Sequence, residues 1–214
     1  TGIALTDHDN TGGVERARAA ASGTGLTVLL GCELSAEHDA NPVHVLAYGF
    51  DPGEPVFAAK RAWILEGRVG RTRRMVERLR ELGAPVDFDR VRELAGGGAL
   101  GRPHVARAMV EAGVVDELGD AFSQDWIGTG GRAYVAKDAV TPTEAVELIH
   151  GAGGVAVLAH PSVHAGAAPV PEPVIRAMAA AGLDGLEVDH PDQPPRDRVR
   201  WRALAAELGL ETTG

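Results

Sequence analysis

Gly154-Val155-Ala156-Val157-Leu158-Ala159-His160-Pro161 is an apolar run closed by a His-Pro pair, and its reading decides the fold. The β-branched and aliphatic residues predict a buried strand, and the His-Pro pair ends it abruptly. Before it, Thr141-Pro142-Thr143-Glu144 is a helix start, with Thr as cap, Pro at the first helical position and an early acid. That helix ends near His150-Gly151. After it, residues 171–181 form a helix closed by Gly182, and residues 183–189 form a strand with His190-Pro191 beyond its end. A further helix spans 196–208, followed by Gly209. Strand, helix, strand, helix at this spacing predicts parallel strands with right-handed crossovers, hence an α/β fold.

The same rhythm occurs upstream. Residues 2–6 read as a short buried strand, 13–22 as an Ala- and Arg-rich helix, 26–30 as a strand, and 43–50 as a strand carrying His44. Asp9 or Asn10 can cap the first of these helices. Residues 61–82 form a long amphipathic helix, with Leu65, Val69, Val76, Leu79 and Leu82 on one face. Residues 86–140 differ in character, with short helix candidates, a Gly cluster at 96–98 and little strand pattern. Asp87 or Asp89 suits a helix cap, and Pro103 suits the first turn of a helix running to Ala112. The predicted organisation is an α/β domain from 1–55 and 141–214, interrupted by a helical insertion at 56–140.

Bulk properties narrow the class. At 214 residues the chain is long enough to bury a sizeable core, and no apolar run approaches the length of a membrane span. The single cysteine, Cys32, excludes an internal disulfide, and no leader-like run opens the sequence; the expected compartment is the cytoplasm. A net charge of −9 argues against a generic polyanion binder, so no stable binding of duplex DNA is expected. There is no P-loop, dinucleotide-binding glycine motif or Gly-x-Ser-x-Gly elbow.

The chemistry lies in short polar interruptions of the apolar runs: Thr6-Asp7-His8-Asp9, Gly31-Cys32-Glu33-Leu34-Ser35, Val43-His44-Val45-Leu46 and Ala159-His160-Pro161. Strand ends in α/β proteins converge on one face, so these residues can meet there. Three imidazoles and a carboxylate, from His8, His44, His160 and Glu33, are the ligand set of a borderline divalent cation such as Zn, Mn or Fe. A ligating histidine donates its second ring N–H to an acceptor, for which Asp7 or Asp9 is the candidate. His190 is read as a ligand, a loop residue or, with most weight, a substrate contact. Gly101-Arg102-Pro103-His104 opens a helix behind a glycine-rich loop. Its N-terminus favours an anion, and Arg102 can add bidentate phosphate contacts. Seven arginines between Arg61 and Arg80 form a basic stripe, read first as a solvated face. His38, His150 and His164 are read as surface histidines.

Taken together, these motifs, with Val43-His44-Val45-Leu46-Ala47-Tyr48-Gly49-Phe50-Asp51, resemble the PHP (polymerase and histidinol phosphatase) family of metal-dependent phosphoesterases. The Gly-Arg-Pro-His segment and the helical insertion resemble the branch acting on nucleoside 3′,5′-bisphosphates or 5′-phosphorylated RNA ends. The resemblance implies a distorted seven-stranded β/α barrel with a helical insertion over its mouth. It implies up to three metal ions, usually Mn, with Zn, Fe or Mg as alternatives. His8, Glu33, His44 and His160 match metal-ligand positions, with Glu33 bridging metals; His8, Glu33 and His160 are the expected catalytic residues. Arg102, His104 and His190 match positions near the substrate. The implied reaction releases phosphate or a nucleotide from a small phosphorylated substrate or short RNA by metal-activated water.

The family's opening His-x-His motif and closing Asp-x-His motif are not in this sequence, so the expectation is a chain cut inside its fold at both ends. The open sheet edges of such a piece predict association at high concentration. The rival readings are a barrel that serves as a scaffold without catalytic metal, a histidinol-phosphate-type phosphatase, and an amidohydrolase. The last relies on a His-x-His at the first strand and often on a carboxylated lysine, whereas Lys60 and Lys137 end no evident strand.

Overall fold

The computed structural model describes residues 1–39, 41–136, 139–163 and 168–214; Lys137 and His164 lie outside the described residues. The chain divides into two compact units. The first comprises Thr1–Arg61 with Ala139–Gly214, and the second Ala62–Asp138.

The first unit is a mixed α/β structure around one six-stranded sheet whose order follows the sequence. The strands are β1 (Gly2–Leu5), β2 (Thr27–His38), β3 (Asn41–Tyr48), β4 (Val155–Leu158), β5 (Gly185–Glu187) and β6 (Glu211–Thr213). β1 and β2 are parallel around α1 (Val14–Ala21). β4, β5 and β6 are also parallel, as the alternation of strands and helices predicts, with α6 (Glu172–Ala180) and α7 (Pro195–Leu208) as crossovers. The middle departs from that scheme. β3 runs antiparallel to both of its neighbours, β2 and β4, and only residues 39–40 separate β2 from β3 in sequence.

β2 also differs from its expected bounds. It continues well beyond Leu30, because residues 32–37 alternate in the two-residue period of a sheet. Cys32, Leu34 and Ala36 are wholly buried on one face, beside Val43, Val45 and Ala47 of β3. Helix α5 (Pro142–Gly151) packs against these strands and β4, and Thr141 caps it by accepting the Glu144 N–H. The opposite face of β2 and β3 carries Glu33, Ser35, His44, Leu46 and Tyr48, with Ser35 paired to His44 and Glu33 to Leu46. Hence a polar set faces one way and an apolar layer the other.

Gly31 admits the first strand's exit to this face. A Cβ there would stand 2.7 Å from the Leu5 carbonyl oxygen, closer than real contacts allow. The cap of α1 is Gly13, without a side-chain bond, rather than Asp9 or Asn10; Asn10 instead turns back onto the Gly12 N–H.

Within the second unit, α3 (Phe88–Ala95) and α4 (Arg102–Glu111) pack around Val91, Val105 and Met109. Asp87 caps α3 by accepting from the Asp89 and Arg90 N–H groups. The long helix α2 (Pro55–Glu81) begins in the first unit and continues into the second. Its arginine stripe is not simply a solvated face. Arg68 donates to the Leu100 carbonyl, Arg71 to Val135, Arg78 to Tyr134 and Arg80 to Val86, so the guanidinium groups stitch non-helical backbone to the helix. Among the described residues, no helix is long and apolar enough to cross a membrane.

Candidate metal centre

Glu33 sits mid-strand in β2, on the polar face, and its carboxylate is where three histidines meet. His44 lies on the adjacent strand, its Nδ1 2.9 Å from Glu33 Oε1. His160 follows β4, and its Nε2 lies 3.1 Å from the same oxygen. His8 leaves β1 through a one-residue parallel bridge to Glu33, which brings its Nδ1 to 3.5 Å from Oε2. The ring centroids of His8 and His44 are 4.9 Å apart, and those of His44 and His160 5.4 Å. His190, beyond β5, joins the row with its ring 5.2 Å from that of His160. Residues separated by more than 100 positions thus converge on one carboxylate.

The electrostatics follow from this crowding. Burial opposes ionisation of Glu33, but hydrogen bonds from His160 and His44 and the nearby His44 and His8 charges outweigh it. The carboxyl is held well below the usual range. Burial likewise opposes protonation of His160, yet its bond to Glu33 and the charges of Glu33 and Glu187 raise its pKa. An anionic carboxylate accepts, so the His160 Nε2 facing Glu33 donates. Behind the carboxylate, the Cys32 thiol is pushed up to about 12 by burial and by Asp9, with Arg61 acting the other way.

The donor set fits a divalent cation. One ligand atom from each of His8, Glu33 and His44 lies within 4.8 Å of the others. Donors around one zinc-like ion at ~2.1 Å stand roughly 3–4 Å apart, so the cluster is near ligating dimensions. His160 shares the Glu33 oxygen with His44 and extends the set to three imidazoles and a carboxylate.

The remaining expected residues are distributed as follows. Asp9 is fully buried and left-handed (φ 54°). Its carboxylate accepts the Ser35 N–H at 2.7 Å and the Ser35 hydroxyl at 2.9 Å, fastening the His8 segment to β2. Asp7 fastens the same segment through its carbonyl, which accepts the Glu33 N–H. Arg102 and His104 belong to the second unit, on α4. The Arg102 guanidinium lies 5.8 Å from the ring centroids of both Phe122 and Tyr134, and His104 Nδ1 accepts the Gly101 N–H. His38 stands beside the Asp39 carboxylate, and His150 is paired with Asp184 at 2.8 Å.

Two residues near the cluster had no assigned role from sequence. Glu187 Oε2 accepts the His160 N–H at 2.9 Å. Its signal was an acid between Leu186 and Val188 in the strand read over 183–189. Gln193, in a proline-rich loop, had no signal at all.

No family model matches the chain. Curated relatives do. It is 37% identical over 209 residues to a 3′,5′-nucleoside bisphosphate phosphatase of Chromobacterium violaceum, covering 97% of this chain and 73% of that protein. It is 32% identical over 210 residues to the 5′-3′ exoribonuclease Rnm of Escherichia coli, covering 97% and 71%. A crystal structure from Bifidobacterium adolescentis assigned as a metal-dependent phosphoesterase superposes with a TM-score of 0.89 at 36% identity, over all of this chain and 75% of that one. Sheet, cluster and relatives together define a metal-dependent phosphoesterase. The chain belongs to the PHP family, among the relatives of these nucleotide and RNA phosphoesterases.

Proposed function

We propose that this chain provides the metal centre of a phosphoesterase that hydrolyses a nucleoside 3′,5′-bisphosphate or trims 5′-phosphorylated RNA. The observation that carries the reading is the convergence of His8, His44 and His160 on the single carboxylate of Glu33. The names of the relatives supply the substrate class. We read the sheet as the larger part of a distorted seven-stranded β/α barrel, the metal as Mn, with Zn, Fe or Mg as alternatives, and the compartment as the cytoplasm.

His8, Glu33, His44 and His160 would hold a divalent cation here, which when bound would lower the pKa of water and offset charge on the phosphoryl oxygens. The protein's own groups do the rest. Glu33 supplies a fixed negative charge, because the histidines keep it ionised. The left-handed His160 (φ 25°) is held by its own backbone bond to Glu187 as well as by Glu33, so the ring is aimed before any ligand arrives. His190, beside it, contacts the substrate. The second unit, residues 62–138, is the inserted module, from which Arg102 and His104 bind a phosphate that is not cleaved.

The test is release of inorganic phosphate from adenosine 3′,5′-bisphosphate, and of mononucleotides from a 5′-phosphorylated oligoribonucleotide, with Mn(II) added to chelator-treated protein. Metal-dependent turnover of either, lost in His44→Ala, is the expected result. Absence of both metal binding and turnover of either substrate would favour the scaffold reading.

A further inference from the structure

Gln193 is 1% exposed, an unusual position for a primary amide, and its side-chain bonds lead towards the metal centre. Its side-chain oxygen accepts the Ser162 N–H at 3.1 Å, two residues beyond His160. Its side-chain nitrogen donates to the Glu187 carbonyl at 3.1 Å and to the Val188 carbonyl at 2.7 Å. One amide therefore ties the turn after β4 to the end of β5. The Glu187 side chain makes the reciprocal tie through the His160 N–H. Trp201, on α7, donates its indole N–H to the Ser162 hydroxyl at 2.8 Å and completes the clamp. The Gln193 N–H also returns to the His190 carbonyl at 3.1 Å, which folds the loop that places the His190 ring beside His160.

This arrangement matches what a metal centre requires around its ligands. A ligand on an irregular turn needs partners that fix the backbone, and loss of such partners weakens metal affinity. His160 sits on such a turn, at positive φ, followed by Pro161, which has no N–H, and by Ser162. We propose that Gln193 is a positioning residue for the metal centre, locking the His160 turn and the His190 loop to β5, with Glu187 as its co-acting partner. The inference rests on the reading of His160 as a metal ligand. It adds a residue that binds neither metal nor substrate but sets where both histidines stand.

The experiment titrates Mn(II) into native protein, Gln193→Met and Ile175→Val by calorimetry, with circular dichroism of each. Met keeps the volume of Gln and removes all three side-chain bonds. Ile175→Val, in the core of the same unit, is the control for destabilisation alone. The expected result is a dissociation constant raised roughly ten- to a hundredfold in Gln193→Met and unchanged in Ile175→Val. A folded Gln193→Met that binds Mn(II) as the native chain does would overturn the proposal and leave the metal centre intact. A native chain that takes up no Mn(II) would instead overturn the reading of the centre itself. Amide exchange of the native protein tests the clamp without any variant. The Ser162 and His160 N–H groups are expected to exchange as slowly as those of β4, and rapid exchange at both would overturn the proposal even if Gln193→Met fails to fold.

Discussion

Glu33 is an anion surrounded by imidazoles, so exchanging it for its neutral isostere isolates charge from shape. Glu33→Gln keeps a hydrogen-bond acceptor for His44 and His160 but removes the charge that a divalent ion needs. We expect Mn(II) binding to fall by at least ~100-fold, the upper range for loss of ligand-supporting groups, and metal-dependent turnover to vanish. Binding by the variant at native strength would mean that Glu33 is not a ligand. Its neighbour Cys32 reports on the other face of β2. The thiol is completely buried and its pKa is pushed up to about 12, so it is a neutral core side chain. Iodoacetamide at pH 8 should leave the folded protein unlabelled and label it stoichiometrically in guanidinium. These two residues show why position 33 was legible as chemistry before its strand was known.

The elements were legible where local signals agree. Thr141, Pro142 and Glu144 announce α5, and the structure makes that cap; Thr141→Ala should cost about 1 kcal/mol of stability, measured by urea unfolding. Asp87 announces α3 similarly, and there the cap titrates. Backbone bonds from Arg90 and Asp89, with the Arg80 guanidinium, hold the Asp87 carboxyl below its ordinary range. A depressed folded pKa means stability that is present above the usual carboxylate pKa and lost as pH falls through the lower, folded value. Asp87→Asn keeps a cap but cannot titrate, so thermal unfolding of the variant should lose less stability than native protein between pH 5 and 2. An identical acid slope in both would rule out this role. β2 was half-read because Gly31 looked like its end. In fact Gly31 is where Leu5 crosses closely, and the strand continues with Glu33, Ser35 and Glu37 on the polar face. A polar face carrying Glu33, Ser35 and Glu37 imitates a loop in sequence, so the half of the strand that meets the histidines was the half that pattern could not assign.

Assembly over long sequence distance was legible only in part. Short apolar frames pointed to His8, Glu33, His44 and His160, and the sheet order β1 to β6 is what turns those frames into neighbours. The clamp through Gln193 was invisible, because a glutamine between prolines carries no periodicity and its role depends on three partners from β4, β5 and their loops. The arginine stripe was read only in part, for a related reason. Composition shows charge, but not that the carbonyls of Leu100, Val86 and Val135 need donors. That finding sharpens the prediction for the second unit. Arg68, Arg71, Arg78 and Arg80 are engaged in backbone bonds, whereas Arg102 reaches the Ile127 carbonyl and the Thr129 hydroxyl at the long distance of 3.5 Å, which makes it a candidate to serve substrate. If it binds the phosphate that is not cleaved, Arg102→Ala should discriminate between substrates. We expect KM for a nucleoside 3′,5′-bisphosphate to rise by roughly tenfold or more, the value of one charge-assisted hydrogen bond of 1.5–3 kcal/mol. Turnover of p-nitrophenyl phosphate, which lacks a second phosphate, and the Mn(II) dissociation constant should both stay at native values. Equal losses on the two substrates would show that Arg102 supports the unit's packing against Phe122 and Tyr134 rather than the second phosphate.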